Sequence, residues 1–258
     1  MKVLLREWGH QQLRHFFGVD FWRTGQDQYY TQAMLKDETG EDAPCYRYHH
    51  SRWPMYTPES DGEFLNVYTE QVARLALGDD RRAYYLFSLA RQAAQLAGDC
   101  AECGVAYGGS ALLLCRIFGA TGKKLYLFDS FKGLPAPNTT YDRYFRKGQM
   151  AASADAVRAL LSEFQSMTEI RVGWMPTTFK GLEEKQFAFV HVDVDLYQST
   201  LDCCAFFYPR LVPRGILLFD EYGYPSTHGE KVAVDEFFEQ KPERPIVLST
   251  GQAWISKV

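Results

Sequence analysis

The 258-residue sequence predicts an α/β fold built around a doubly wound, mainly parallel sheet. From about residue 98 onward, short apolar runs alternate with segments of helical periodicity. A glycine-rich turn follows the first of these runs, and acidic residues end two of the later ones. Strands that alternate with helices pack through right-handed crossovers, so this order favours helices on both faces of one sheet.

Seven apolar runs have the length and composition of buried strands. They are Cys100–Val105, Lys124–Phe128, Ile170–Val172, Phe187–Val194, Gly215–Phe219, Pro245–Ser249 and Ala253–Ser256. Other segments repeat apolar residues at three- to four-residue spacing, which is typical of helices. They are Arg81–Leu96, Ser110–Phe118, Ala154–Phe164, Ser199–Tyr208 and Glu230–Phe238. We therefore predict a Rossmann-like sheet of seven strands in one domain spanning residues 63–258.

Residues 1–62 have a different composition, with aromatic residues placed among glycine, proline, aspartate and histidine. The aromatic residues include Tyr29, Tyr30, Tyr46, Tyr48, Trp53 and Tyr56. We predict a helical or aromatic N-terminal extension. It is either a lid on the substrate side of the domain or a cover packed on the sheet.

The charge and hydropathy of the chain exclude several classes of partner. A net charge of −4 and the lack of a lysine- or arginine-rich run argue against nucleic acid. No apolar stretch reaches the roughly 18 residues that a membrane span needs, and the first residues are too charged for a signal peptide. The six cysteines are too sparse for a disulfide scaffold, so we expect buried thiols in a cytoplasmic protein. Cys100 and Cys103 lack a second cysteine pair, and we expect neither zinc nor redox chemistry there.

Acidic residues follow two of the most apolar runs of the sequence. Asp193 and Asp195 end one run, and Asp220 and Glu221 directly follow the next. Because the chemistry of α/β sheets lies at the carboxyl ends of their strands, we expect these side chains to meet in an all-oxygen site that suits Mg²⁺. Capping of the following helices is the alternative role. His191 faces the same side of its strand and is expected to be a buried structural histidine, with a contact to the site as the alternative.

The stretch Glu102–Ser110 places three glycines between the first strand and its helix, where the backbone can approach a ligand closely. Asp129 ends the second strand, a position that suits ribose hydroxyls. Neither the G-x-G-x-x-G spacing of NAD enzymes nor a P-loop sequence occurs. Glu102 would repel a pyrophosphate but attract an amine and a sulfonium. We therefore expect S-adenosylmethionine as the adenosine cofactor.

Longer motifs resemble the macrocin O-methyltransferase (TylF-type) family. They are Glu102–Ser110, Leu127–Pro135, Phe189–Thr200, Tyr208–Gly215, Asp220–Gly223 and Gly229–Phe237. The resemblance covers roughly residues 55–258. It implies a class I S-adenosylmethionine-dependent methyltransferase, often Mg²⁺-dependent. Known members of the family methylate sugar hydroxyls on macrolides, aminocoumarins and related natural products.

The resemblance also implies site residues, taken position by position. Cofactor contacts are implied for Thr57, Glu102, Gly104, Tyr107, Gly109, Ser110, Asp129, Ser130, Phe131, Ser153, Gly173, Trp174 and Asp193. Metal ligands are implied for Asp193, Asp220 and Glu221. The general base would be Asp193 or Asp195.

This sequence departs from the family pattern in places. The family usually has Asp-Asp where this chain has Asp220-Glu221, so we expect a different metal geometry or affinity. Ser226-Thr-His228 stands where a Cys-Pro type pair is common. The first fifty residues do not align with the family, and we expect them to select the acceptor.

The sequence thus predicts an S-adenosylmethionine- and Mg²⁺-dependent O-methyltransferase. Its partner would be a small hydroxyl acceptor, a sugar of a natural product or glycan, and self-association is a further option. The alternatives are a catechol or aromatic O-methyltransferase and a non-catalytic S-adenosylmethionine-binding member.

Overall fold

The computed structural model describes Pro58 and residues 61–75 and 80–258 in full, and the backbone of residues 20–23, 29–36 and 42–46. Contacts divide the chain into two compact units, Met1–Asp61 and Gly62–Val258.

In the first unit, three strands form an antiparallel sheet in the order β1-β2-β3. They are β1 (Asp20–Arg23), β2 (Tyr29–Lys36) and β3 (Asp42–Tyr46). The expectation of a helical extension is therefore wrong over these residues. The aromatic and threonine content of β1 and β2 suits a pleated strand, and this preference prevails over the helix. The predicted role of this extension as a lid concerns side chains outside the described residues.

The second unit contains seven α-helices among its described residues. They are α1 (Gly62–Val67), α2 (Glu70–Leu75), α3 (Asp80–Ala93), α4 (Gly109–Phe118), α5 (Ala154–Leu160), α6 (Tyr197–Phe207) and α7 (His228–Phe238). None of the helices in the described ranges is long and apolar enough to cross a membrane.

A seven-stranded sheet forms the centre of this unit, in the order β6-β5-β4-β7-β8-β10-β9. Its strands are β4 (Asp99–Cys103), β5 (Leu125–Asp129), β6 (Thr168–Val172), β7 (Phe187–Val192), β8 (Leu211–Phe219), β9 (Ile246–Val247) and β10 (Ala253–Ser256). The five strands from β6 to β8 are parallel. β10 is antiparallel to both β8 and β9. The predicted seven-stranded, doubly wound α/β fold is confirmed.

Successive residues of the central strands face opposite sides of the sheet. Cys100 and Phe189 pack into the core that includes α3 and α4, whereas their neighbours Ala101 and Val190 pack into the core that includes α6 and α7. This alternation follows from the period of two along a strand, and it explains why these strands are apolar on both faces. The Cys100 and Cys103 side chains accordingly lie in opposite cores, and the five described cysteines are free and buried.

β8 begins earlier than the sequence predicted, at Leu211 rather than Gly215. The Arg214-Gly215 pair lies inside the strand, where Arg214 takes a left-handed conformation (φ 67°). The register between β7 and β8 shifts at this point, as at a β-bulge. A bulge absorbs the irregular residues and lets the strand continue to Phe219, directly before the acidic pair.

Candidate active site

The sheet changes its winding direction between β4 and β7. β4 lies between β5 and β7. On one side the chain continues outward from β4 to β5 and β6, and on the other it continues from β7 to β8. Loops at the carboxyl ends diverge at such a switch point and leave a crevice, the usual ligand position in open α/β sheets. The glycine-rich turn follows β4 and the acidic residues follow β7 and β8, so both predicted clusters lie at this edge.

The turn after β4, residues 102–110, is called the glycine loop below. Gly104 has a φ of 89°, and a Cβ at this position would collide with the carbonyl oxygen of Asp193. Gly108 takes the left-handed conformation at the start of α4, and Gly109 is the first residue of that helix. The loop therefore needs glycine for contact with β7, and it delivers the first N–H groups of α4 to the crevice.

Glu102 is fully buried at the base of the glycine loop. Its Oε1 lies 3.0 Å from Nδ1 of His191. Its Oε2 is also buried and has no hydrogen-bond partner among the described residues. Burial raises the pKa of Glu102, and His191 and the nearby Ser110 partly offset this. A buried carboxylate oxygen without a donor is costly, so this atom fits a ligand that brings a cationic N–H group.

The carboxylate of Asp129 fastens the glycine loop. Oδ2 accepts hydrogen bonds from the backbone N–H groups of Val105 and Ala106, both at 2.8 Å, and Oδ1 accepts one from Phe131 at 2.7 Å. The sequence predicted a ribose contact for this residue. The geometry gives it a second task, since it ties the end of β5 to the loop after β4.

The other predicted cofactor positions lie on three segments. Ser130 is buried, and its hydroxyl donates to Gly133 O and accepts from Lys132 N within its own turn. Phe131 is buried in the core on the α4 side with a left-handed backbone. Ser153 caps α5 by accepting a hydrogen bond from Ala156 N.

Gly173 and Trp174 follow β6 beside the end of β5, because Gly173 N donates to Asp129 O at 2.9 Å. Trp174 and Tyr107 are both exposed aromatic residues at this edge. Thr57 lies outside the described residues. The structure thus brings the described cofactor candidates to one edge of the sheet, some with side chains already used in local hydrogen bonds.

Four carboxylates form what is called the acidic cluster below: Asp193, Asp195, Asp220 and Glu221. Ligand atoms of Asp193, Asp195 and Glu221 all lie within 4.8 Å of one another, and the same holds for His191, Asp193 and Asp220. Asp195 and Asp220 are buried, whereas Asp193 and Glu221 are half-buried. Oxygen atoms gathered at this spacing suit a hard divalent cation such as Mg²⁺. Asp193 belongs to both groups, but Asp220 and Glu221 fall in different ones, so neither group is the predicted set of Asp193, Asp220 and Glu221.

His191 connects the glycine loop with the acidic cluster. It is buried. Its Nδ1 lies 3.0 Å from Oε1 of Glu102, and its Nε2 lies 3.3 Å from Oδ1 of Asp220. These three residues come from the adjacent strands β4 and β7 and from the end of β8. The sequence favoured a buried, hydrogen-bonded structural role for His191, and its burial and its contact with Glu102 agree with that interpretation. Its position 3.3 Å from Asp220 also places it beside the acidic cluster.

Arg82 of α3 is a site residue that the sequence analysis missed. It is buried, and its Nη2 donates to Oδ2 of Asp220 and, at 2.5 Å, to Oε1 of Glu221. Burial alone would lower the pKa of Arg82, but Glu221 and Asp193 outweigh it and raise that pKa. Arg82 shares the buried side of α3 with Leu86 and Leu89, and an arginine at this spacing in an apolar stripe was the signal available in the sequence.

Two further polar residues form hydrogen bonds with residues of the acidic cluster. Gln252, just before β10, donates from Nε2 to Oδ1 of Asp220 at 2.6 Å. Glu230 of α7 is fully buried, and its Oε1 accepts a hydrogen bond from Glu221 N at 2.9 Å. Burial raises the pKa of Glu230, and the neighbouring acids add to this. These contacts fix the direction of the loop that follows β8.

Asp195 combines an unusual backbone with burial. Its φ is 60°, a left-handed conformation that non-glycine residues rarely adopt and that tends to occur at functional sites. Burial raises the pKa of Asp195 well above the ordinary aspartate value, and Asp193 and Glu221 raise it further. A carboxylate with a raised proton affinity is suited to accept a proton from a substrate hydroxyl.

The sheet order, with the crevice at its carboxyl edge, is that of the class I methyltransferase fold. Solved structures with this fold include the calicheamicin methyltransferase CalS11, with a TM-score of 0.58 at 18% identity, covering 76% of this chain and 93% of that one. The O-methyltransferase NovP gives a TM-score of 0.54 at 22% identity, covering 67% and 79%. The chain belongs to the macrocin-O-methyltransferase (TylF) family, whose pattern it matches over residues 77–247.

Curated relatives are similar over part of the chain. A tetracenomycin-C rhamnosyl 4'-O-methyltransferase from Streptomyces olivaceus is 32% identical over 138 residues, which is 48% of this chain and 53% of the relative. Demethyldecarbamoylnovobiocin O-methyltransferase from Streptomyces niveus is 29% identical over 153 residues, or 54% and 58%. The matches therefore span little more than half the length of each relative.

Proposed function

We propose that this protein transfers a methyl group from S-adenosylmethionine to a hydroxyl of a sugar carried by a natural product, with a divalent cation in the acidic cluster. The observation that carries the proposal is the chain of contacts from Glu102 through His191 to Asp220. It places an unsatisfied buried carboxylate oxygen beside the glycine loop and an acidic cluster one strand away. Membership of the family and the relatives that methylate sugars support the same activity.

The glycine loop would hold the methionine end of the cofactor. Oε2 of Glu102 would accept from the cofactor's amine, since it is a buried carboxylate oxygen of the glycine loop without a donor among the described residues. Gly104 lets the loop lie against the end of β7, so that the methyl group of a cofactor held there would be close to Asp193. Holding both reactants in line is worth about 7–11 kcal/mol of the barrier.

The acidic cluster would prepare the acceptor hydroxyl. When bound, S-adenosylmethionine supplies an electrophilic methyl group on a sulfonium, and a divalent cation supplies a Lewis acid that favours the alkoxide. Asp193, Asp220 and Glu221 would hold the cation. Asp195 or Asp193 accepts the hydroxyl proton, a contribution of about 10²–10⁴-fold to the rate. Asp195 suits this role better, because it is not among the three residues that would hold the cation.

The test is a calorimetric titration of S-adenosylmethionine into chelator-stripped protein, repeated with Mg²⁺ and with Ca²⁺. We expect micromolar binding that survives without metal, because Glu102 and the glycine loop hold the cofactor on their own. Glu102→Gln should weaken that binding. Absence of binding under all three conditions would overturn the proposal.

Acceptor class is tested separately, with labelled S-adenosylmethionine and Mg²⁺. We expect label in glycosides that carry a deoxysugar and none in simple catechols. Labelling of catechols alone would reject the sugar acceptor and leave the methyltransferase activity standing.

A further inference from the structure

Among the described residues, Arg82 is the arginine that the carboxylates of the acidic cluster contact. Its side chain is 5% exposed, and the partner carboxylates of Asp220 and Glu221 are 10% and 16% exposed. Charges removed from water to this extent are stable only when they are compensated. Arg82 therefore supplies positive charge at the position where a divalent cation would also be attracted.

The oxygens of Asp220 are already engaged. Oδ2 accepts from Arg82, while Oδ1 accepts from Gln252 at 2.6 Å and lies 3.3 Å from Nε2 of His191. On Glu221, Oε1 is the atom that Arg82 contacts. A metal ion that uses Asp220 and Glu221 together with Asp193 needs oxygen lone pairs that the guanidinium occupies in this arrangement.

Arg82 has a second contact close by, with its guanidinium carbon 5.1 Å from the ring centre of Tyr224. An aromatic face attracts a guanidinium, so this ring also stabilises the charge of Arg82 beside the carboxylates. Tyr224 follows the acidic pair in sequence, within the same loop.

We propose that the Arg82 guanidinium and a divalent cation bind the Asp220–Glu221 pair in mutual exclusion, so that Arg82 sets the metal affinity of the site. The metal on which this rests is part of the proposed function. In the metal-free protein, Arg82 keeps the buried carboxylates compensated. Binding of the cation requires Arg82 to withdraw, and the apparent affinity is reduced by the fraction of molecules in which it has withdrawn.

The test uses Mn²⁺ as a probe of the oxygen site. Free Mn²⁺ is measured by its electron paramagnetic resonance signal during titration of chelator-stripped full-length protein, without cofactor or acceptor. We expect Arg82→Gln to bind Mn²⁺ about 10- to 100-fold more tightly than the wild type, the usual size of changes to residues around metal ligands. Arg91→Gln is the matched control, because Arg91 lies on the same helix in an exposed pair with Glu63 and should leave the affinity unchanged.

Arg82→Lys keeps the charge but loses the forked donor, so its Mn²⁺ affinity should fall between those of the wild type and Arg82→Gln. It also carries the test if Arg82→Gln does not fold. Mn²⁺ should raise the melting temperature of each Arg82 variant by more than that of the wild type.

Equal or weaker Mn²⁺ binding by the Arg82 variants would overturn the inference. Binding of Mn²⁺ by none of the proteins would also overturn it, together with the metal part of the proposed function. Cofactor binding in chelator, measured as above, would still stand as separate support for the methyltransferase.

Discussion

The glycine loop and the acidic cluster lie on neighbouring strands, but their carboxylates are compensated by different groups. Beside the glycine loop, Asp129 accepts hydrogen bonds from three backbone N–H groups, two of them in the loop, and within the loop Glu102 is paired with His191. In the acidic cluster, the Asp220–Glu221 pair depends on Arg82, a long side chain from another element. Backbone donors are fixed by the fold, whereas an arginine side chain can leave.

This difference indicates a division of tasks between the two regions. Fixed dipoles cost little reorganisation and suit the binding of a cofactor that has one pose in every cycle. A positively charged side chain that can move, such as that of Arg82, suits a region whose net charge changes when a metal ion or a substrate binds and leaves. His191 lies between the two regions, with Nδ1 3.0 Å from Oε1 of Glu102 and Nε2 3.3 Å from Oδ1 of Asp220.

The largest expected effect separates chemistry from cofactor binding. Asp193→Asn and Asp220→Asn each keep the shape of the side chain but remove the charge that would hold the cation and accept the proton. We expect turnover with labelled S-adenosylmethionine to fall by about 10³-fold. Calorimetry should find the cofactor affinity within a few-fold of the wild type, since the glycine loop is left intact.

Asp202→Asn on the surface of α6 is the control for removing one negative charge. A large loss of cofactor affinity in both active-site variants would contradict the division of tasks. The acidic cluster would then be part of the cofactor site.

A second prediction concerns the contact that joins the two regions. Gly104→Ala places a Cβ against the carbonyl oxygen of Asp193 at a φ of 89°, so either the glycine loop or the end of β7 must move. We expect a loss of roughly 3 kcal/mol or more in the free energy of unfolding, measured with denaturant.

Gly122→Ala is the matched control, because Gly122 also has a positive φ (74°) but nothing within 4 Å of its Cβ position. It should cost only the backbone strain, about 1–2 kcal/mol. Equal losses in the two variants would mean that the glycine loop and β7 are not in tight contact.

The sequence alone predicted the strands that end in acids, because a long apolar run followed by charge is hard to place anywhere but at the end of a buried strand. Asp193 and Asp220 therefore meet as expected. The glycine loop was predictable for the same local reason, since three glycines between a strand and a helix have few other uses.

Arg82 was not predictable, because its partners lie 138 and 139 positions further along the chain. Nothing in a single sequence links an arginine of one helix to acids at the end of a distant strand. The bulge at Arg214 has the same cause, because it is set by the pairing of β7 with β8.

The smallest expected effect concerns Asp129, which holds the glycine loop through backbone hydrogen bonds. Asp129→Ala removes the acceptor of three backbone N–H groups, so the glycine loop loses its tie to β5 and the cofactor has to order it on binding. Hydrogen bonds to a charged group are worth about 1.5–3 kcal/mol each, and water replaces part of that loss in this half-buried position. We expect calorimetry to show S-adenosylmethionine affinity about 10- to 100-fold weaker, with a smaller loss for Asp129→Asn, which keeps one acceptor oxygen. Unchanged affinity in Asp129→Ala would show that Asp129 neither binds the ribose nor holds the loop, and the contrast between a fixed and an exchangeable region would fail on its fixed side.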